Sequence, residues 1–143
     1  MTSSDVLARL RRFLLVLSAF LFCGTLVELW LVNHTKDLVQ WIPFVLCGVG
    51  FLVVVSVLIR PRGATVKSLR VWMLVVVVGS LFGVYQHVTN NIAFEREINP
   101  RASSSRVLRQ GLGGANPLLA PGMLAVAALL ALAATYKHGE IHD

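Results

Sequence analysis

Charged side chains are scarce in this 143-residue chain: Asp, Glu, Lys and Arg make up 14% of it, whereas 56% of the residues are hydrophobic. Soluble domains carry about 25% charged and about 45–50% apolar residues. The shortage of charge, together with the excess of apolar residues, therefore argues against a soluble globular domain.

Cysteine is rare, and the usual catalytic motifs are absent. Cys23 and Cys47 lie separately in apolar segments, so the sequence has neither a C-x-x-C metal motif nor a disulfide framework. No G-x-S-x-G, H-E-x-x-H or phosphate-binding loop occurs. We therefore expect a protein that is not an enzyme.

The net charge of +6 does not indicate a nucleic-acid-binding protein. No basic block is interleaved with aromatic residues, which is the pattern that such binding favours. The basic residues instead gather at the ends of long apolar segments, as in proteins of the bacterial cytoplasmic membrane. We expect the lipid bilayer of that membrane, and not nucleic acid, as the partner of this chain.

Four apolar segments are each long enough to cross a bilayer. A membrane-spanning helix needs about 20 mostly apolar residues to cross about 30 Å of hydrocarbon. Strands usually run about 4–8 residues, so segments of this length favour helices, and lipid offers no water to unpaired backbone groups. The segments are Phe13–Val32, Trp41–Ile59, Val71–Val88 and Pro117–Tyr136.

Short connections between the first three segments make successive helices antiparallel neighbours. The stretch 89–116 predicts a long outer loop, although no strong helix breaker precedes Asn99-Pro100 and the third helix is free to continue that far. Neither an internal repeat nor a second domain is visible. We predict one all-α domain over residues 1–143, an integral membrane four-helix up-down bundle.

Lys and Arg indicate the orientation of the chain, because they are more frequent in cytoplasmic loops. If both termini are cytoplasmic, that side holds Arg9, Arg11, Arg12, Arg60, Arg62, Lys67, Arg70 and Lys137. The other side then holds Lys36, Arg96, Arg101, Arg106 and Arg109. The larger number on the first side predicts cytoplasmic termini and two loops outside.

Gly79 and Gly83 form a G-x-x-x-G pair in the third segment. Small residues at this spacing let two helix backbones approach closely. Two interpretations are open: the pair packs inside the bundle, or it contacts a partner membrane protein or a second copy of the chain.

Ionisable residues in or beside the spans need an explanation, because charge is costly in lipid. Glu28 lies about one turn before the outer end of the first segment, and His34 follows the end of that segment. His87, Asn91 and Glu95 share one face of the third helix, since they are spaced by four. If the first and third helices both face the interior, Glu28, His34 and His87 converge on the outer side, and Asn91 and Glu95 extend the cluster outward.

This polar cluster has two interpretations. In the structural one, Glu28 is protonated or hydrogen-bonded to a neighbouring helix and the histidines lie among the lipid headgroups. In the functional one, the cluster binds a metal ion, a proton or a polar ligand, since His and carboxylate are suitable ligands for Zn or Fe. A third version makes His34 and His87 axial ligands of a haem. His138 and His142 are a separate candidate metal pair in the carboxyl-terminal tail.

Three functional hypotheses follow from these patterns, and the third, a membrane-embedded enzyme, has only the polar outer pocket in its favour. The first is a non-enzymatic accessory or scaffold subunit of a membrane complex, because helix faces of small residues are abundant and reactive chemistry is scarce. The second is a metal- or haem-binding redox or transport protein with a polar site on the outer side, between helices one and three.

Overall fold

The computed structural model describes residues 2–136, which are all-helical and contain no strand. A 3₁₀ turn, Leu38–Trp41, precedes the second of five α-helices. The helices are α1 Ser3–Leu31, α2 Ile42–Ile59, α3 Gly63–Ile98, α4 Ser104–Gly113 and α5 Leu119–Ala134.

Local sequence accounts for the helix ends. Thr2 and Asp5 form a capping box, in which each side chain accepts a hydrogen bond from the backbone N–H of the other residue. After α1, Asn33 adopts a positive φ of 51°, a conformation that Asn tolerates better than most residues. Pro61 and Pro100 follow the ends of α2 and α3, where proline disfavours continuation of a helix.

Three helical segments are long and apolar enough to cross a membrane: α1, the 3₁₀ turn with α2, and α3. The fourth predicted segment forms α5, which has only 16 residues and is therefore about 24 Å long. Conversely, α3 has 36 residues and a length of about 54 Å, well beyond the thickness of a hydrocarbon core. The predicted outer loop 89–116 is thus largely helical, since it holds residues 89–98 of α3 and all of α4.

The helices pack in a ring. Helices α2 and α5 each lie against both α1 and α3, whereas α1 and α3 have no close backbone contact with each other. At one end, which we name the basic end, Arg11 donates a hydrogen bond to the carbonyl of Tyr136 and Arg70 donates one to that of Thr135. The beginnings of α1 and α3 therefore lie beside the end of α5.

The core combines large side chains with a helix of small ones. Phe22, Leu69 and Met73 are fully buried, and α5 contributes a series of buried alanines. The Ser18 hydroxyl donates a 2.8 Å hydrogen bond to the carbonyl of Ala127, also buried. The small alanine side chains let α5 approach α1 and α3 closely, which a leucine-rich face would prevent.

The glycine pair of α3 packs against two different helices of the same chain. A Cβ atom added at Gly79 would lie 2.5 Å from Cδ1 of Leu46 in α2. At Gly83 it would lie 3.0 Å from Cβ of Pro121 in α5. Both glycines therefore lie close to neighbouring helices of the same chain.

Candidate functional site

A cavity of about 540 Å³ lies at the end of the molecule opposite the basic end. It is lined by α1, by the connection 32–41, by the first turns of α2, by the middle of α3 and by residues 116–124 around the start of α5. We name it the polar cavity. It occupies the space that remains because α1 and α3 do not pack against each other.

The wall of the polar cavity is apolar with a small number of polar groups. Apolar side chains include Leu29, Val32, Val39, Leu46, Phe82 and Leu124. The polar and ionisable ones are Thr25, Glu28, His34, Asp37, Gln40, Ser80, Gln86, His87, Asn90 and Asn116. This combination is typical of sites that bind small molecules.

The ring of His87 is held by the start of α5. Its Nδ1 atom lies 2.9 Å from the carbonyl oxygen of Pro117. A carbonyl only accepts, so Nδ1 carries the proton, and in the neutral ring Nε2 keeps its lone pair. The carbonyl is available because residue 121, which would supply the N–H in a regular helix, is a proline.

His34 lies just beyond α1 and is half-buried. Its backbone N–H donates a 3.0 Å hydrogen bond to the carbonyl of Leu29, which anchors the chain as it leaves the helix. Burial lowers the pKa of His34 below its ordinary 6.5, and the nearby positive form of His87 lowers it further. His34 is therefore neutral at pH 7. Its protonation is harder in the folded than in the unfolded chain, so it reduces stability as the pH falls below about 6.5.

Asn91 binds the chain that leads into α5 and does not line the polar cavity. It is 2% exposed. Its Nδ2 group donates to the carbonyls of Gly111 and Asn116, at 3.3 and 3.0 Å. Its Oδ1 atom accepts from the backbone N–H and the side-chain Nδ2 of Asn116, at 2.9 and 3.1 Å. The amide is fully used in binding Gly111 and Asn116, and Asn116 is itself part of the cavity wall.

Glu95 lies one turn further along α3 and is 4% exposed. Its Oε1 atom accepts from Nε of Arg106 at 2.8 Å and from Nδ2 of Asn99 at 3.0 Å. Through Arg106 it attaches the first turn of α4 to α3. Its surroundings are those of a structural ion pair.

The structure thus brings together three of the five residues predicted as a site. Glu28, His34 and His87 line one cavity, whereas Asn91 and Glu95 hold α4 and the start of α5. Within residues 2–136, no group of three His, Cys, Asp or Glu side chains is close enough to hold a metal ion. His138 and His142 lie outside the described residues.

Several cavity residues were not predicted from the sequence. Asp37 and Gln40 belong to the connection between α1 and α2, and Asn90 is next to Asn91 on α3. The available signal was the density of polar residues in 33–40, immediately after Glu28. A connection this short necessarily lies over the ends of the two helices it joins.

The part of the chain from residue 2 to residue 136 is thus all-helical, with three helices long and apolar enough to cross a membrane. No family of known proteins matches the chain, and no curated protein or solved structure is significantly similar to it.

Proposed function

We propose that the chain is a four-helix up-down protein of the bacterial cytoplasmic membrane, with α1, α2, α3 and α5 as spans and both termini in the cytoplasm. The sides of these helices support this assignment, because large apolar residues are exposed halfway along them. Phe20 is 70% exposed, Leu52 65% and Val78 67%. Such surfaces are unfavourable in water and suit contact with lipid.

The basic end is then the cytoplasmic one, and the polar cavity lies on the outer side. Arg9, Arg12 and Lys67 are exposed near the starts of α1 and α3, where cytoplasmic basic residues are expected. The fourth span consists of the short α5 together with residues 117–118 and 135–136, which flank the helix. The end of α3 and α4 project outward as a helical hairpin.

Two cysteine variants test this orientation. Ser104 and Ser68 are both exposed, at opposite ends of the molecule. In right-side-out vesicles, a membrane-impermeant maleimide is expected to label Ser104→Cys, and Ser68→Cys only after the membrane is opened. The unmodified chain controls for Cys23 and Cys47. Labelling of Ser68→Cys in sealed vesicles would contradict the proposed topology.

The function we propose is the binding, without chemical reaction, of a small amphipathic molecule in the polar cavity. The volume of about 540 Å³ and the mixed lining carry this proposal, because small-molecule sites measure about 300–1,000 Å³ and combine apolar walls with few polar groups. The cavity hydroxyls support binding over catalysis. Ser80 donates to the carbonyl of Pro121 and Thr25 to that of Leu21, so neither is paired with a base.

Filling the cavity is expected to abolish binding. Ala120 lines the cavity, whereas Ala133, on the same helix, is exposed and does not. We expect Ala120→Phe to reduce binding at least about tenfold, since a phenyl ring takes the space of the ligand. Ala133→Phe, which makes the same change outside the cavity, should bind like the unmodified protein.

The measurement is saturation-transfer NMR on protein in phosphatidylcholine nanodiscs, with benzyl alcohol, benzyltrimethylammonium and phenylmethanesulfonate as probes and empty nanodiscs as the blank. If none of the three transfers saturation above the blank, or if both phenylalanine variants bind like the unmodified protein, the cavity is not the binding site.

A second candidate function is that of an accessory subunit in a membrane complex. One observation favours it: Gly24 and Cys23 are exposed in the middle of α1, and a Cβ added at Gly24 would meet no atom within 4 Å. This open notch between Phe20 and Val27 would accept a helix of another protein or of a second copy.

A further inference from the structure

We infer that the ligand of the polar cavity is a small organic cation, with the Glu28 carboxylate as its counter-charge and Asp37 as a second negative group. The inference rests on the proposed binding function and names the chemical class that the cavity selects.

The charges around the cavity are of one sign. Among residues 2–136, its lining includes two carboxylates, Glu28 and Asp37, and no Lys or Arg side chain. The other ionisable groups that these residues place in the wall are His34 and His87. Two carboxylates with no Lys or Arg beside them favour a cation over an anion.

Glu28 is free to serve as a counter-charge. Its carboxylate has no hydrogen bond or salt bridge with any residue in the described part of the chain. Glu95 is the contrasting case, because its carboxylate is already neutralised by Arg106. A carboxylate that is left unpaired at the edge of an apolar cavity gains most from a positively charged partner.

The remaining wall favours an organic cation over a metal ion. A metal ion requires several ligands at short distances, and no group of three suitable side chains occurs within residues 2–136. An organic cation needs one or two carboxylates and an apolar surface for its body. Leu29, Val39 and Leu46 supply that surface, and the ring of Phe82 is able to make a cation–π contact.

A low pH should weaken the binding of such a cation. The ionisable groups that face the cavity are Glu28 from α1, His34 and Asp37 from the connection, and His87 from α3, while the lining parts of α2 and α5 contribute none. Protonation of His34 adds a positive charge to the wall, which repels a cation. Because the pKa of His34 is below 6.5, cation binding should weaken mainly as the pH falls below that value.

The test compares Glu28→Gln with Glu97→Gln. Glu97 is exposed on α3 beyond the cavity and does not line it, so its variant is the matched control. In nanodiscs of zwitterionic phosphatidylcholine at pH 7.5, the unmodified protein should bind benzyltrimethylammonium more tightly than benzyl alcohol, and phenylmethanesulfonate least. Glu28→Gln should weaken binding of the cation about fivefold to tenfold and leave that of benzyl alcohol unchanged.

Two further measurements make the result decisive. Lowering the pH from 8 to 5.5 should weaken cation binding and leave benzyl alcohol unaffected, and the melting temperature should show that both glutamine variants are folded. If benzyl alcohol binds in the cavity as well as the cation does and Glu28→Gln changes neither, the cation inference is wrong while the binding function stands. If none of the probes binds, both fail.

Discussion

Replacing Asn91 with alanine is expected to lower the free energy of unfolding by about 3 kcal/mol and to release the segment that connects α4 to α5. The buried amide makes four hydrogen bonds, to Gly111 and to three groups of Asn116. Alanine removes all of them and leaves the buried backbone groups of the partners without replacements, and this loss is larger than that of an exposed hydrogen bond.

The adjacent Asn90 provides the matched control. It has the same side chain but is exposed, so Asn90→Ala should leave the melting temperature nearly unchanged. Hydrogen exchange should show faster exchange of the amides of residues 104–118 in Asn91→Ala only. Equal melting temperatures and equal exchange in the two variants would show that Asn91 does not hold this segment.

The Asn91 variant also links the hairpin to the polar cavity. Asn116 and Pro117 belong to the cavity wall, and the carbonyl of Pro117 orients His87. Because Asn91 fixes Asn116, loss of its amide should displace both residues. We expect weaker binding of the cavity probes in this variant even at temperatures where it remains folded.

Replacing Gly83 with leucine is expected to destabilise the protein by about 2 kcal/mol, whereas Gly24→Leu should leave it as stable as before. A Cβ at Gly83 would lie 3.0 Å from Cβ of Pro121, a rigid ring in α5 that cannot move aside as a flexible side chain does. Gly24 is also in the middle of a helix but has open space around it. Thermal unfolding of the two variants in nanodiscs measures the difference.

The same pair of variants tests the accessory-subunit candidate. If another subunit or a second copy occupies the notch at Gly24, Gly24→Leu should release it, and the mass of the complex purified in mild detergent should fall by that of the partner. If the notch faces lipid only, the unmodified chain and Gly24→Leu should purify as particles of the same mass. That second outcome would remove the observation that favours this candidate.

Much of the helical structure was predictable because it depends on local properties of the chain. Long apolar segments predict long helices, and residues 2–136 include three that are long and apolar enough to span a membrane. The predicted third span ended at Val88, with Asn99-Pro100 as the furthest point to which the helix could continue; α3 extends to Ile98, because the residue before proline rarely continues a helix. The fourth segment was less well predicted: α5 begins at Leu119, two residues after the expected start at Pro117, and ends at Ala134, two residues before Tyr136.

The sequence by itself determined which residues share a helix face, because the helical period places Ser80, His87 and Asn91 on one side of α3. Only the tertiary structure decided what each of them meets. Ser80 and His87 bind carbonyls of the proline-containing start of α5 while lining the cavity, and Asn91 binds Asn116. The helical period does not indicate which neighbouring helix a given face contacts. That contact depends on which small residues, such as Gly79, Gly83 and the alanines of α5, allow close packing. The same packing separates α1 from α3 and leaves the polar cavity between them.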